Sequence, residues 1–142
     1  FNKVKTLFTP DKFKIIVIPS YRTPEKILKM AFNTFNDDHH VVKTIDKKAY
    51  LSALAISNYI VVTCDSTSMI SEAATTGKPI YIAMMSSLKP TGRFKKFYSQ
   101  LRDLGITREL ENTVESWSYN KLNEVNRIAP ILKAKMKKNG II

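Results

Sequence analysis

The sequence predicts an α/β fold, a Rossmann-like three-layer sandwich around a mostly parallel sheet. Three observations carry that expectation. Apolar runs that are continuous rather than alternating recur at Phe13–Pro19 (FKIIVIP), Tyr59–Thr63 and Ile80–Met84, as expected for strands covered on both faces. Stretches with apolar residues at helical spacing separate these runs. Strand and helix patterns then alternate along the chain, which is the order of a parallel sheet with crossover helices.

Each element has its own reason. Thr23-Pro24-Glu25 opens the first helix: Thr is a good N-cap, Pro suits the first helical position, and an acid favours the first turn. Ile27, Leu28, Ala31 and Phe35 give it an apolar stripe. His40 to Thr44 is a short strand. Lys47 to Ser57 is a second helix, with Tyr50, Leu51, Leu54 and Ala55 on its inner face. After the Tyr59–Thr63 strand, Ser68 to Thr76 is helical. Gly77 stops that helix and Pro79 prevents its continuation, as is usual past a helix C-terminus. The Ile80–Met84 strand is followed by a helix from Gly92 to Leu104, with Phe94, Phe97, Leu101 and Leu104 three to four residues apart. A long helix from Asn120 to Lys138 closes the chain.

Composition bounds the function. At 142 residues, 44% apolar and 25% charged, the chain reads as a single globular domain over 1–142 with a sizeable core. No apolar run approaches the roughly 18–20 residues that cross a bilayer. The opening FNKVKTLFTP shows no signal-peptide cleavage pattern, and it lacks an initial Met, as a C-terminal piece of a two-domain protein would. One cysteine, Cys64, excludes an internal disulfide and a cysteine-rich zinc site. The net charge of +11 raises nucleic acid and anionic membrane as partners. Of the 23 basic residues, however, 18 are Lys scattered among the elements, whereas base and phosphate recognition favours Arg. Nucleic acid is therefore not expected. Membrane contact through the basic residues, clustered only at KAKMKKNG, is retained.

In such sheets ligands bind beyond the carboxyl ends of the strands. Two loops qualify, PSYRTP (Pro19–Pro24) and CDSTS (Cys64–Ser68), each leading from a strand into a helix. A helix N-terminus offers unpaired N–H groups and about half a positive charge, which suits phosphate. Ser66, Thr67 and Ser68 would add hydroxyl donors, and Arg22 could clamp a phosphate from the other loop. Glu72 stands one turn beyond Ser68, roughly 5.4 Å along the axis, where a carboxylate can accept from the vicinal hydroxyls of a ribose. Arg93 is a cation at a helix start, an unfavourable place unless an anion compensates. Asp65 would need to point away, find backbone donors or hold a cation. The same hydroxyl residues also fit plain helix capping by Asp65 or Ser66, and Glu72 a solvated charge. Neither glycine-rich phosphate-loop pattern occurs.

His39 and His40 follow Asp37-Asp38. Four polar groups in a row suggest a metal, but the stretch is a helix-to-strand connection, and no metal is predicted. Cys64 reads as a buried small thiol, Phe94 and Phe97 as core, and Trp117 lies in a loop with no nameable partner.

PSYRTP, YLSALAISNYIVVTCDSTSMISEAATTGKPIYI and GRFKKFYSQLRDLGITREL closely resemble the mitochondrial-fission Elm family over residues 18–110. The D-S-x-S-M-x-S-E-A block is the specific part. By motif the resemblance covers Ser20, Arg22 and Thr23, then Asp65, Ser66, Ser68, Met69, Ser71 and Glu72, then Arg93, Phe94 and Phe97. Tyr21 stands where the family has Arg, and Asn58 where it has Asp. Bacterial members are often labelled nucleoside-diphosphate-sugar epimerase-like. The resemblance implies the C-terminal half of a GT-B-like protein, binding the nucleotide of a nucleotide-sugar donor. With the helix-start argument above, the expected site has Ser20, Arg22, Thr23, Ser66, Thr67, Ser68 and Arg93 on the diphosphate and Glu72 on the ribose. The catalytic base would lie in a preceding domain, so this piece would be inactive alone; the last helix would either cross back to that domain or pack simply on the sheet. A bacterial, cytoplasmic protein with no resident cofactor is expected. A nucleotide-sugar epimerase and a non-catalytic interaction scaffold remain open.

Overall fold

A computed structural model describes residues 1–35, 39–85 and 92–142. The element order is α1 (Asn2–Leu7), β1 (Ile16–Val17), α2 (Glu25–Phe35), β2 (His40–Val41), α3 (Lys47–Ile56), β3 (Ile60–Thr63), α4 (Thr67–Ala74), β4 (Ile80–Ala83), α5 (Gly92–Asp103), β5 (Thr107–Glu109) and α6 (Glu124–Lys138). Every strand pair is parallel: β1 with β2, and β3–β4–β5 in that order. The fold is Rossmann-like α/β.

The alternation of side chains along β4 shows the layers. Ile80 and Ile82 point into a core shared with Ile70, Ala73 and Ala74 of α4 and Leu101 of α5. Tyr81, between them, points to the opposite face, where Phe8 and Leu110 pack. Residues that alternate across a strand line opposite sides of a sheet, so both faces of β4 are buried. That is why the run Ile80–Tyr81–Ile82 is apolar without interruption. Ile70, Ala73, Ala74 and Ile80 have no exposed surface at all.

Tyr81 also fastens the far face. Its hydroxyl accepts from the Glu115 N–H at 2.7 Å and donates to the Glu115 carbonyl at 3.1 Å. Trp117 lies edge-on to its ring at 5.1 Å, with the Arg108 guanidinium 4.4 Å over the indole. Trp117, whose partners the sequence does not name, thus has two.

Several expectations shift. The first strand is two residues rather than Phe13–Pro19, and β2 stops at Val41 rather than Thr44. The Ile15 N–H is taken by His39 Nδ1 at 3.2 Å, and Pro19 has no N–H to continue a ladder. The same bond gives His39 a structural role; Asp37 and Asp38 lie outside the described residues. No hydrogen-bonded pairing joins the two sheets among the described residues; rings do, with Phe13 and Tyr59 centred 5.8 Å apart. Leu51 and Ala55 of α3 are exposed rather than inward. Leu104 falls one residue past α5 and is 62% exposed. Phe94, read as core, is exposed, whereas Phe97 packs on the α4–α5 core. The last helix starts at Glu124, not Asn120, with Asn123 capping it. Its forerunners Tyr119 and Leu122 are core residues instead. Neither α1 nor β5 was foreseen.

Candidate functional site

The two loops singled out by sequence meet. The Arg22 guanidinium donates from Nη2 to the Asp65 carbonyl at 2.8 Å and to Ser66 Oγ at 3.3 Å. Its own loop is a closed turn. Thr23 Oγ1 accepts from the Ser20 N–H at 2.9 Å, Ser20 Oγ accepts from the Arg22 N–H at 3.3 Å, and the two hydroxyls are 3.3 Å apart. Thr23 therefore closes the turn with its side chain instead of capping α2. Ser20 and Thr23 hold the shape of the loop, and Arg22 reaches out from it.

The first turn of α4 is left open. Ser66 takes the N-cap position yet makes no capping bond with its side chain. The Ser66 N–H turns back to Thr63 and the Ile70 N–H to Ser66. The amides of Thr67, Ser68 and Met69 are the orphan donors every helix start carries. Among the described residues, no side chain fills them. Ser66 itself is 4% exposed, held between Arg22 and the helix.

Asp65 does not cap either. Its Oδ2 lies 4.0 Å from Arg22 Nη2, a partly solvated pair that contributes little. Its Oδ1 is buried without a hydrogen-bond partner among the described residues. Facing it is a residue the sequence reading missed, Tyr98 of α5, whose hydroxyl donates to the Cys64 carbonyl. Burial, then Cys64, then the Asp65 carboxylate push the Tyr98 pKa up. The signal was present: Tyr98 falls four residues after Phe94 and three before Leu101, on the same stripe. Cys64 is buried, as expected.

On the other flank of α4, a cleft of about 320 Å³ opens between α4 and α5. Thr67, Ser68 and Ser71 line one wall; Arg93, Phe94 and Phe97 line the other. Ser71 spends its hydroxyl on the Thr67 carbonyl at 3.0 Å. Thr67 and Ser68 do not make such a bond among the described residues, and Arg93 has no ion pair among them. The predicted diphosphate residues thus divide. Thr67, Ser68 and Arg93 share this cleft, while Ser20, Arg22, Thr23 and Ser66 form a separate bonded cluster. Met69 packs against the core. Glu72 is exposed and faces Tyr50 of α3; burial first, then the Glu72 carboxylate, raises the Tyr50 pKa.

A second cavity, about 400 Å³, lies along β5. Arg102, Arg108, Glu109, Glu111 and Glu115 line it, and Arg108 pairs with Glu115. Charges of both signs make it a poor seat for a polyanion. No group of three His, Cys, Asp or Glu residues that could hold a metal occurs among the described residues, and no helix among them is long and apolar enough to cross a membrane.

The family model described as Mitochondrial fission ELM1 matches residues 1–136. The chain belongs to this family. It is 33% identical over 126 residues to "Mitochondrial fission protein ELM1" of Arabidopsis thaliana, covering 85% of this chain and 29% of that protein. It is 39% identical over 93 residues to "Uncharacterized protein RP120" of Rickettsia prowazekii (strain Madrid E), covering 63% of this chain and 26% of that protein. The chain therefore spans less than a third of these relatives' lengths. No solved structure matches it. The matched region takes in both loops and both walls of the cleft, so the family's sequence pattern includes the open start of α4.

Proposed function

We propose that this chain is the nucleotide-sugar-binding half of a GT-B-like glycosyltransferase, with the donor's diphosphate seated at the start of α4. One observation carries the reading: the uncapped first turn of α4, Thr67, Ser68 and Arg93, a cation with no ion pair among the described residues, border one cleft. Backbone amides, small hydroxyls and a guanidinium are the donors that a diphosphate accepts from. Phe94 and Phe97 in the same wall give an apolar side to the cleft. The reaction would be glycosyl transfer, in which the helix start and Arg93 stabilise negative charge on the departing diphosphate. The acceptor site and the general base belong to a further domain, consistent with the larger size of the relatives. The donor is a substrate, with no metal or other cofactor called on.

The test is thermal denaturation of the full-length protein with uridine and guanosine diphosphates and their sugar conjugates. A ligand at about a hundred times its Kd stabilises by roughly 2.7 kcal/mol, a rise of several degrees. Ser68→Ala and Arg93→Ala should remove most of that rise while leaving the ligand-free Tm unchanged. If no nucleotide raises Tm, the binding reading fails and an interaction scaffold on the same fold stands in its place. Interconversion of a free nucleotide-sugar without any acceptor would make the protein an epimerase.

A further inference from the structure

We infer that α6 is an interfacial helix that lies on an anionic lipid surface. Like α3, it buries no residue, but it is the longest helix of the described chain. Its 15 residues include none that is buried, although Val125, Ile128, Ala129, Leu132 and Met136 fall at i, i+3, i+4, i+7 and i+11, a single apolar stripe. Val125 is 76% exposed and Leu132 54%. The chain is secured only as far as Leu122, whose N–H donates to the Ala74 carbonyl at 3.0 Å. No residue of the stripe belongs to a core cluster among the described residues.

Charge selects the occupant. Lys133 and Lys135 flank the stripe on its two sides at helical spacing, Lys137 and Lys138 follow in the last turn, and the one acid, Glu124, is paired with Arg127. An apolar stripe bordered by lysines, whose stems lie along the surface while their heads reach outward, is the pattern of a helix in the plane of a membrane. Phospholipid phosphates supply anions on both borders at once. A second copy seated on the stripe would set its own Lys133, Lys135, Lys137 and Lys138 against these lysines, like charge on like. Pro130 lies on the polar side and leaves the stripe unbroken. The inference is independent of the nucleotide reading.

The experiment is co-sedimentation of the full-length protein with phosphatidylcholine vesicles, with and without phosphatidylserine. Binding should require phosphatidylserine and weaken at least tenfold between low and high salt. Ile128→Asp with Leu132→Asp, and separately Lys133→Glu with Lys137→Glu, should each weaken it at least tenfold with Tm unchanged, since α6 supports no core. Arg93→Ala should leave it intact. Absence of vesicle binding, or undiminished binding by either pair of variants, overturns the inference. So does a fall in Tm for the Asp variants, which would show that the protein itself covers the stripe.

Discussion

Arg22 and Arg93 both stand beside the start of α4, and the structure uses them differently. Arg22 is committed: it spans two loops 43 residues apart and holds the Asp65 carbonyl and the Ser66 hydroxyl. Arg93 borders a cleft with no ion pair among the described residues. The same side chain in the same kind of loop-to-helix position therefore serves as a clasp on one side and as an available cation on the other. What separates them is whether unpaired carbonyl and hydroxyl acceptors already lie within reach.

That contrast can be broken from beneath. Ile70 is fully buried under both flanks, so Ile70→Ala should cost about 2–5 kcal/mol in chemical denaturation and weaken nucleotide binding with it. A variant that kept either property would show that the flanks do not share one foundation. Arg93→Ala comes next. Loss of a charge-assisted bond of about 1.5–3 kcal/mol should lower nucleoside-diphosphate affinity roughly ten- to a hundredfold by calorimetry, with stability untouched. Arg22→Ala should do the reverse, costing roughly 0.5–1.5 kcal/mol of stability and less of the affinity. Equal effects of the two substitutions on affinity would abolish the distinction.

Tyrosine ionisation sharpens it at high pH. Tyr50 and Tyr98 have pKa values raised above the ordinary 10.0 by burial. The unfolded chain then loses these protons first, so their contribution is intact below about pH 10 and fades as pH rises past it. Thermal melts from pH 8 to 11 should show that decline, and Tyr98→Phe should flatten it. The smallest effect is that of Ser71→Ala. Its hydroxyl is spent on the helix's own backbone, so affinity should change by no more than about twofold, near the limit of surface substitutions.

Much of the sheet was legible because burial on both faces leaves a plain mark. Ile80–Ala83 and Ile60–Thr63 read as continuous apolar runs and fold as such. β5 left no mark: of Thr107, Arg108 and Glu109, only Thr107 is buried, and three residues carry no period. α1 is six residues with none buried, too short for a stripe to declare itself. Leu51 and Leu104 show the opposite failure, since helical spacing identifies a face without saying that anything covers it. At the site, the hydroxyl block and both arginines were visible in sequence. Their division into two flanks was not, because it depends on which loop touches which across a long separation. Tyr98 was within reach, but the stripe was read through Phe97 and Leu104 instead.

The paired hydrogen bonds between Tyr81 and the backbone of Glu115 make one ring the latch of an entire connecting segment. The phenol at that position donates one hydrogen bond and accepts another, which a phenyl ring cannot do. Phe there would lose both bonds to Glu115 together, while Val114 and Trp117 would still pack on the far face. The indole of Trp117, edge-on to that ring, would report the loss in its fluorescence.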